Sequence, residues 1–330
     1  MACAPAAASA SPARHTRRIG WGDLPQPVRE AFVRAMGADV AREDRQTGGW
    51  SPGMASRLTL HDGRRIFLKA ICAERDPHAP DLYRREATTT AALPDAAPAP
   101  RLRWTYDAEG WVALALDDID GRMPAQPWRR DDLDLVVQAL AVMADALTPA
   151  PDGALPIGVD LADNFSSWRR LAGDRTGGTP QAVDRLPAWA RDNLDQLAAL
   201  EADWAAAAAG NTLSHTDLRA DNILITAGGV KVVDWAYAVA SAPWTDLLLM
   251  LPSVAASSGI DPEPIWHAFP RSRDVPDDQA NAVLAALAGD FLTQSLLPAP
   301  PNIPGLRQHQ RAKGEAALRW LRTRLTTTHP

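Results

Sequence analysis

A chain of 330 residues, 46% hydrophobic and 22% charged, is long enough for two packed lobes and too mixed for a disordered or fibrous protein. Its 34 Lys and Arg stand against 40 Asp and Glu, a net charge of −6 that argues against a dedicated nucleic-acid partner. The two cysteines, Cys3 and Cys72, cannot frame a disulfide scaffold or a metal site, and no run approaches the apolar length of a membrane span, so a reducing, cytoplasmic setting is expected.

The basic residues are unevenly chosen. Only three are lysines, Lys69, Lys231 and Lys313, and all the others are arginine. With alanine runs such as DWAAAAAG, this reads as a GC-rich coding bias. An arginine then says little about function, whereas a lysine marks a place where a compact ammonium is wanted. No motif surrounds Lys231 or Lys313, and they gain nothing from this reasoning.

Residues 1–18 are rich in small residues, and no apolar stretch follows their arginine pair, so they read as a disordered leader rather than an export signal. LPQPVREAFVRAMG then predicts a short helix, with Pro27 near its first turn, Val28, Phe32 and Val33 at helical spacing, and Gly37 placed to end it. The glycine-containing loop TGGWSPGMAS leads into a hairpin. Leu58 and Leu60 alternate on one side of an Asp62-Gly63 turn, and Ile66, Leu68 and Ala70 on the other. A helix is expected from about Asp81 to Leu93, and a second hairpin around DAEG. Helix, hairpin, helix, hairpin makes a small α+β lobe with an antiparallel sheet, and DDIDGRMP is its natural boundary.

Beyond that boundary the chain reads as mostly helical. Leu133, Val136, Val137, Leu140, Val142, Met143 and Leu147 give one helix a broad apolar face, and PAWARDNLDQLAALEADWAAAAAG predicts a second long helix. Two short strands, NILIT and VKVVDW, are joined by AGG, and helices near 275–298 and 306–325 close the chain. Trp50, Trp128, Trp168, Trp189, Trp204, Trp244, Trp266 and Trp320 are expected in the core.

The chemistry concentrates in LSHTDLRADNILIT and VKVVDW. His215, Asp217 and Asn222 form an H-x-D-x-x-x-x-N pattern leading into a strand, and Asp234 stands at the end of the next strand. Phosphoryl transfer needs positioning, metal ions across the phosphates and a carboxylate at the attacking hydroxyl. Asp217 suits the last role; Asn222 and Asp234 supply oxygens to Mg²⁺, a hard cation.

This pattern resembles the aminoglycoside phosphotransferase and choline-kinase-type branch of the protein-kinase-like fold, from about residue 25 to 255. The resemblance implies a bilobal α+β fold: an N-lobe at 19–116, a hinge at 117–121 and a helical C-lobe at 122–330. It further implies that Lys69, on the strand RRIFLKA, binds nucleotide phosphate and pairs with Glu86. Gly48, Gly49 and Ser51 would belong to the phosphate-covering loop, and Asp118 to the adenine-holding hinge. His215 would prop the catalytic loop through hydrogen bonds, and Asp246 would support it from below. Asp234-Trp235-Ala236 in place of Asp-Phe-Gly, and the lack of an activation segment, point to a small-molecule kinase. The glycine loop has no regular G-x-G-x-x-G. The donor expected is ATP with Mg²⁺, GTP remaining open, and the acceptor a hydroxyl of an aminoglycoside or other sugar-containing antibiotic. The alternative is a metabolite kinase for choline, homoserine or an amino sugar. A catalytically dead binding module would have lost Asp217, Asn222, Asp234 or Lys69, and all are present. No nucleic-acid or membrane partner is expected, and a monomer is. Asp117, Asp118 and Asp120 read as a solvated hinge in preference to an acidic rim for a cationic substrate. Asp221 is either solvent-facing or at the substrate mouth.

Overall fold

A computed structural model describes residues 18–46, 52–174, 183–300 and 305–327. The leader to residue 17, the loop residues Gly48, Gly49 and Ser51, and Trp50 lie outside the described residues. Helix α1 (Gln26–Met36) buries Val28, Phe32 and Met36 and ends at Gly37. Strands β1 (Val40–Arg45), β2 (Met54–Leu60), β3 (Arg65–Cys72), β4 (Leu102–Ala108) and β5 (Trp111–Asp117) form one antiparallel sheet in the order β1-β2-β3-β5-β4.

The period-two alternation of β3 does the positioning. Ile66, Leu68 and Ala70 share a cluster with Val28 and Phe32, so α1 covers that face. Lys69 is thereby turned to the opposite face, held in register between Ala55 of β2 and Leu114 of β5. Phe32 locks the cover with edge-on contacts to Trp21 and Trp104, ring centroids 5.2 and 5.6 Å apart.

Two differences from the sequence expectation fall in this lobe. Strand β1 was not expected, because VAREDR carries the charge of an exposed sheet edge and shows no apolar alternation. Helix α2 runs Ala79–Ala92, starting earlier than Asp81, because the Asp76 carboxylate accepts the amides of His78 and Ala79 at 2.9 and 3.2 Å.

After Asp117 the chain leaves the sheet, and Arg122 exchanges backbone hydrogen bonds with Ile225 at 3.0 and 2.7 Å. The loop between α2 and β4 also reaches across: Ala97 belongs to the large core of the helical part, and the Pro98 carbonyl accepts the Val232 amide at 2.7 Å. In α3 (Arg130–Ala146) the stripe Leu133, Val136, Leu140, Met143 is buried. Val142, counted with that face from sequence, lies on the opposite side of the helical wheel and is 67% exposed.

The expected long helix is broken into α6 (Ala188–Asp192), α7 (Leu194–Ala202) and α8 (Trp204–Ala207), following α4 (Ile157–Asp160) and α5 (Ser167–Asp174). Asn193 and Asp203 stand at the breaks; the Asn193 amide donates to the Trp189 carbonyl at 2.8 Å, competing with the helical ladder. The second break lets Trp204 enter the core. Of the tryptophans expected inside, Trp128, Trp168, Trp204, Trp244, Trp266 and Trp320 are buried, while Trp189 is only partly so.

Two small two-stranded ladders follow, β6 (Thr212–Ser214) with β9 (Val239–Ser241), and β7 (Ile223–Thr226) with β8 (Gly229–Val232). Then come α9 (Thr245–Ser258), α10 (Glu263–Ala268), α11 (Asp277–Ser295) and α12 (Leu306–Thr327). The Arg324 guanidinium ties the end of α12 to Asn281, Glu263 and Asp277 at 2.7, 2.6 and 2.5 Å. Among the described residues, no helix is long and apolar enough to cross a membrane.

Candidate active site

The loop between β6 and β7 is held from beneath by two buried groups. His215 is fully buried; its Nε2 donates to the Val233 carbonyl at 3.0 Å, and its Nδ1 accepts the Asp217 amide at 3.3 Å. Those two partners fit one neutral tautomer, with the proton on Nε2. Asp246, in the first turn of α9, accepts the amides of His215 and Thr216 at 2.9 and 2.8 Å. Burial pushes the Asp246 carboxyl upward, and the hydrogen bonds from the His215 and Thr216 amides oppose that push. Asp246→Ala is expected to leave both amides unpaired and cost roughly 3 kcal/mol. A lowered melting temperature and reduced turnover would show it; an unchanged melting temperature would refute it.

Strained backbone gathers at the same place. Thr216 and Asp234 adopt positive φ, 60° and 71°, a region that non-glycine residues seldom occupy. Asn222 closes the loop: its amide nitrogen donates to the Asp217 carbonyl at 2.9 Å and to the Asp217 carboxylate at 3.3 Å. The Asn222 carbonyl in turn accepts the Val233 amide at 2.9 Å, which sets Asn222 beside the segment that carries Asp234.

Lys69 spans the cleft between the lobes. Its Nζ lies 2.5 Å from Glu86 on α2 and 2.9 Å from Asp234 on the far side. Burial works against the Lys69 ammonium, but Asp234 and Glu86 outweigh it and hold Lys69 above its ordinary value. Burial likewise pushes Glu86 up, whereas Lys69 and Arg219 outweigh the burial of Asp234 and keep that carboxylate below its usual range. Asp234 remains 43% exposed, so its carboxylate is open to a ligand. Gly53 lies nearby, and only glycine fits it: a Cβ there would sit 2.6 Å from the Ala70 carbonyl and 2.9 Å from the Tyr83 hydroxyl.

Two of the aspartates at the end of β5, Asp117 and Asp118, are neutralised by arginines. Asp118 is bound by Arg65, at 2.6 Å, and Arg57, at 3.2 Å, and Asp117 by Arg103 at 2.5 Å. The Asp118 carboxylate, 1% exposed, is thus taken up by these arginines. Asp221, left open from sequence, accepts Arg219 Nε at 3.1 Å.

Sequence reasoning missed three neighbours of this cluster. Arg219 holds both carboxylate oxygens of Asp217, at 2.6 and 2.5 Å, and was passed over because arginine is the default cation in this chain. Its place two residues after Asp217 was the available signal. Arg18, set aside with the leader, lies within electrostatic reach of Tyr83, Asp234 and Asp221. Lys313 of α12, discounted for want of a motif, is buried where the charges of Asp217 and Asp290 favour its ammonium and that of Arg219 opposes it.

A five-stranded antiparallel lobe and a helical lobe, with a lysine–glutamate pair facing an H-x-D-x-x-x-x-N loop, define a protein-kinase-like phosphotransferase. The family model of the APH phosphotransferase enzyme family matches residues 47–269, more than half of the chain. The chain belongs to that family and is a phosphotransferase with an alcohol group as acceptor. Among solved structures it is similar to aminoglycoside phosphotransferase APH(4)-Ia, captured with ADP and hygromycin B, at TM-score 0.60 and 15% identity over 92% of this chain and 100% of that one. It is also similar to a GDP and kanamycin complex of an APH(2")-type enzyme, at TM-score 0.59 and 13% identity over 92% and 100% of the two chains. A Plasmodium vivax ethanolamine kinase matches at TM-score 0.50 and 11% identity, over 91% and 85%. No curated protein sequence matches significantly.

Proposed function

We propose that the chain transfers the γ-phosphoryl group of ATP, or alternatively GTP, to a hydroxyl of a small molecule, first an aminoglycoside or other sugar-containing antibiotic. The observation that carries this reading is the meeting of Asp217, Asn222 and Asp234 with the Lys69–Glu86 pair across one cleft. A dead binding module has no reason to keep all of them in register. In this reading 19–116 is the nucleotide lobe, 117–121 the hinge and 122–330 the acceptor lobe, and the protein works as a cytoplasmic monomer.

Asp217 orients the acceptor hydroxyl and takes its proton as the new oxygen–phosphorus bond forms and the bond to the departing diphosphate breaks. Arg219 and Asn222 fix the carboxylate that does this. Lys69 steadies the phosphates, with Glu86 holding its ammonium in place. A half-exposed carboxylate and an amide oxygen are a donor set that fits Mg²⁺, which favours a few protein oxygens beside phosphate and water. Asp234 and Asn222 would hold it, and the ion would neutralise charge developing on the phosphates.

A metabolite acceptor such as choline, homoserine or an amino sugar is the second reading, supported by a structural neighbour named as an ethanolamine kinase. Nucleoside-diphosphate release measured with hygromycin B and kanamycin, against choline, homoserine and glucosamine, separates the two. Turnover of the antibiotics is the expected result. Turnover of the simple amino alcohols or sugars alone would abandon the antibiotic reading, and none from any hydroxyl compound would count against phosphotransfer.

A further inference from the structure

Three successive residues of α2 reach three different parts of the molecule. Arg84 holds both carboxylate oxygens of Asp107 on β4, at 2.8 and 2.9 Å, and so faces its own sheet. Glu86 meets Lys69. Arg85, between them, crosses to the helical lobe and donates to Asp160, the last residue of α4, at 2.8 Å. Successive helical residues stand about 100° apart, so anchors at 84 and 85 together leave α2 little freedom to turn about its axis. Glu86 is thereby kept in the direction of Lys69.

The two arginine pairs differ in their surroundings. Arg84 and Asp107 are both about half exposed, and such a pair is screened and holds weakly. The Asp160 carboxylate is 11% exposed, so solvent screens its attraction to Arg85 far less. The backbone around Asp160 is fixed as well. Just ahead of α4, the Leu155 carbonyl accepts the Ala240 amide of β9 at 2.8 Å. Strand β9 pairs with β6, where Val239 stands opposite Ser214, the residue before His215. Asp160 thus belongs to the ladder that feeds the catalytic loop, and Arg85 ties α2 to that ladder. On the same side, α2 packs against Trp235–Tyr237, the turn that follows Asp234.

The contact between Lys69 and Asp234 also bridges the lobes, but it uses the two groups that a nucleotide would claim. Arg85 and Asp160 have no such duty, so their bond persists when a nucleotide enters. We propose that Arg85 and Asp160 are positioning residues for the phosphate donor. Their ion pair keeps α2 against the helical lobe when Lys69 turns from Asp234 to the phosphates of a nucleoside triphosphate. Without it, the nucleotide itself must bring together a phosphate site split between two lobes, and that ordering weakens binding. This rests on the phosphotransferase reading of the cleft.

The test uses the full chain, with Mg–ATP and Mg–GTP as probes. Arg85→Gln and Asp160→Asn are each expected to lower nucleotide affinity roughly tenfold, as loss of one charge-assisted hydrogen bond does. Arg85→Glu and Asp160→Arg combined in one chain should restore most of that loss, which neither reversal does alone. Arg84→Gln breaks the neighbouring pair on the same helix and should leave the affinity unchanged. A merely structural pair would lower the melting temperature of both neutral variants and leave the affinity of the folded protein intact. That result would overturn the assignment, as would a folded double reversal that binds no better than the single ones. Amide exchange over α2 without nucleotide is the second measurement, and it should quicken in Arg85→Gln and Asp160→Asn. Unchanged exchange would overturn the latch whether or not the reversed variants fold. A wild type that binds neither nucleotide would instead overturn the phosphotransferase reading, with the exchange rates still judging the ion pair.

Discussion

Asp217→Asn should lower turnover by about 10²–10⁴-fold while affinity for the Mg–nucleotide complex survives. The asparagine keeps the shape of the side chain and its contact with Asn222, but it cannot take the proton of an acceptor hydroxyl. Arg219 loses one carboxylate partner and keeps Asp221, so the loop remains tied. Steady-state turnover alongside nucleotide titration separates the two quantities. Undiminished turnover would remove Asp217 from the proposed base role, and a parallel loss of nucleotide affinity would mean that the loop had collapsed.

Asp234→Asn should lose Mg²⁺-dependent nucleotide affinity and lower turnover by about 10²–10³-fold, the scale seen when one electrostatic stabiliser is withdrawn. Asparagine is the informative replacement because Asp234 sits at φ 71°, which asparagine tolerates and alanine does not. The variant also strips Lys69 of one of its two carboxylates, so the lysine is held less firmly above its ordinary value. Nucleotide titration with and without Mg²⁺ is the measurement. Equal affinity for the Mg–nucleotide complex in wild type and variant would reject Asp234 as a metal ligand.

What could be read in advance followed from local signals. The alternation of Ile66, Leu68 and Ala70 placed Lys69 on a strand, and that alternation is what turns its side chain toward Glu86. The H-x-D-x-x-x-x-N pattern was legible because spaced polar residues directly before an apolar strand have few structural uses. Strand β1 was hidden because an edge strand has no second buried face to leave a pattern. The break at Asn193 and Asp203 was hidden because an alanine-rich run has high helix propensity, and packing of Trp204 overrides it. Arg219 and Lys313 were lost for opposite reasons. The first was camouflaged by arginine abundance, and the second lies 96 positions from Asp217, whose charge reaches it only in the folded chain.

The family match ends at residue 269, yet α11 and α12 continue to 327 and carry Asp290 and Lys313. The stretch that identifies the chain covers Lys69, Asp217, Asn222 and Asp234, while two closing helices outside it pack on each other and on α9, whose first turn carries Asp246. An exchange of α11 and α12 between relatives is then expected to reach the catalytic loop through α9 and Asp246, and to show in melting temperature and turnover together.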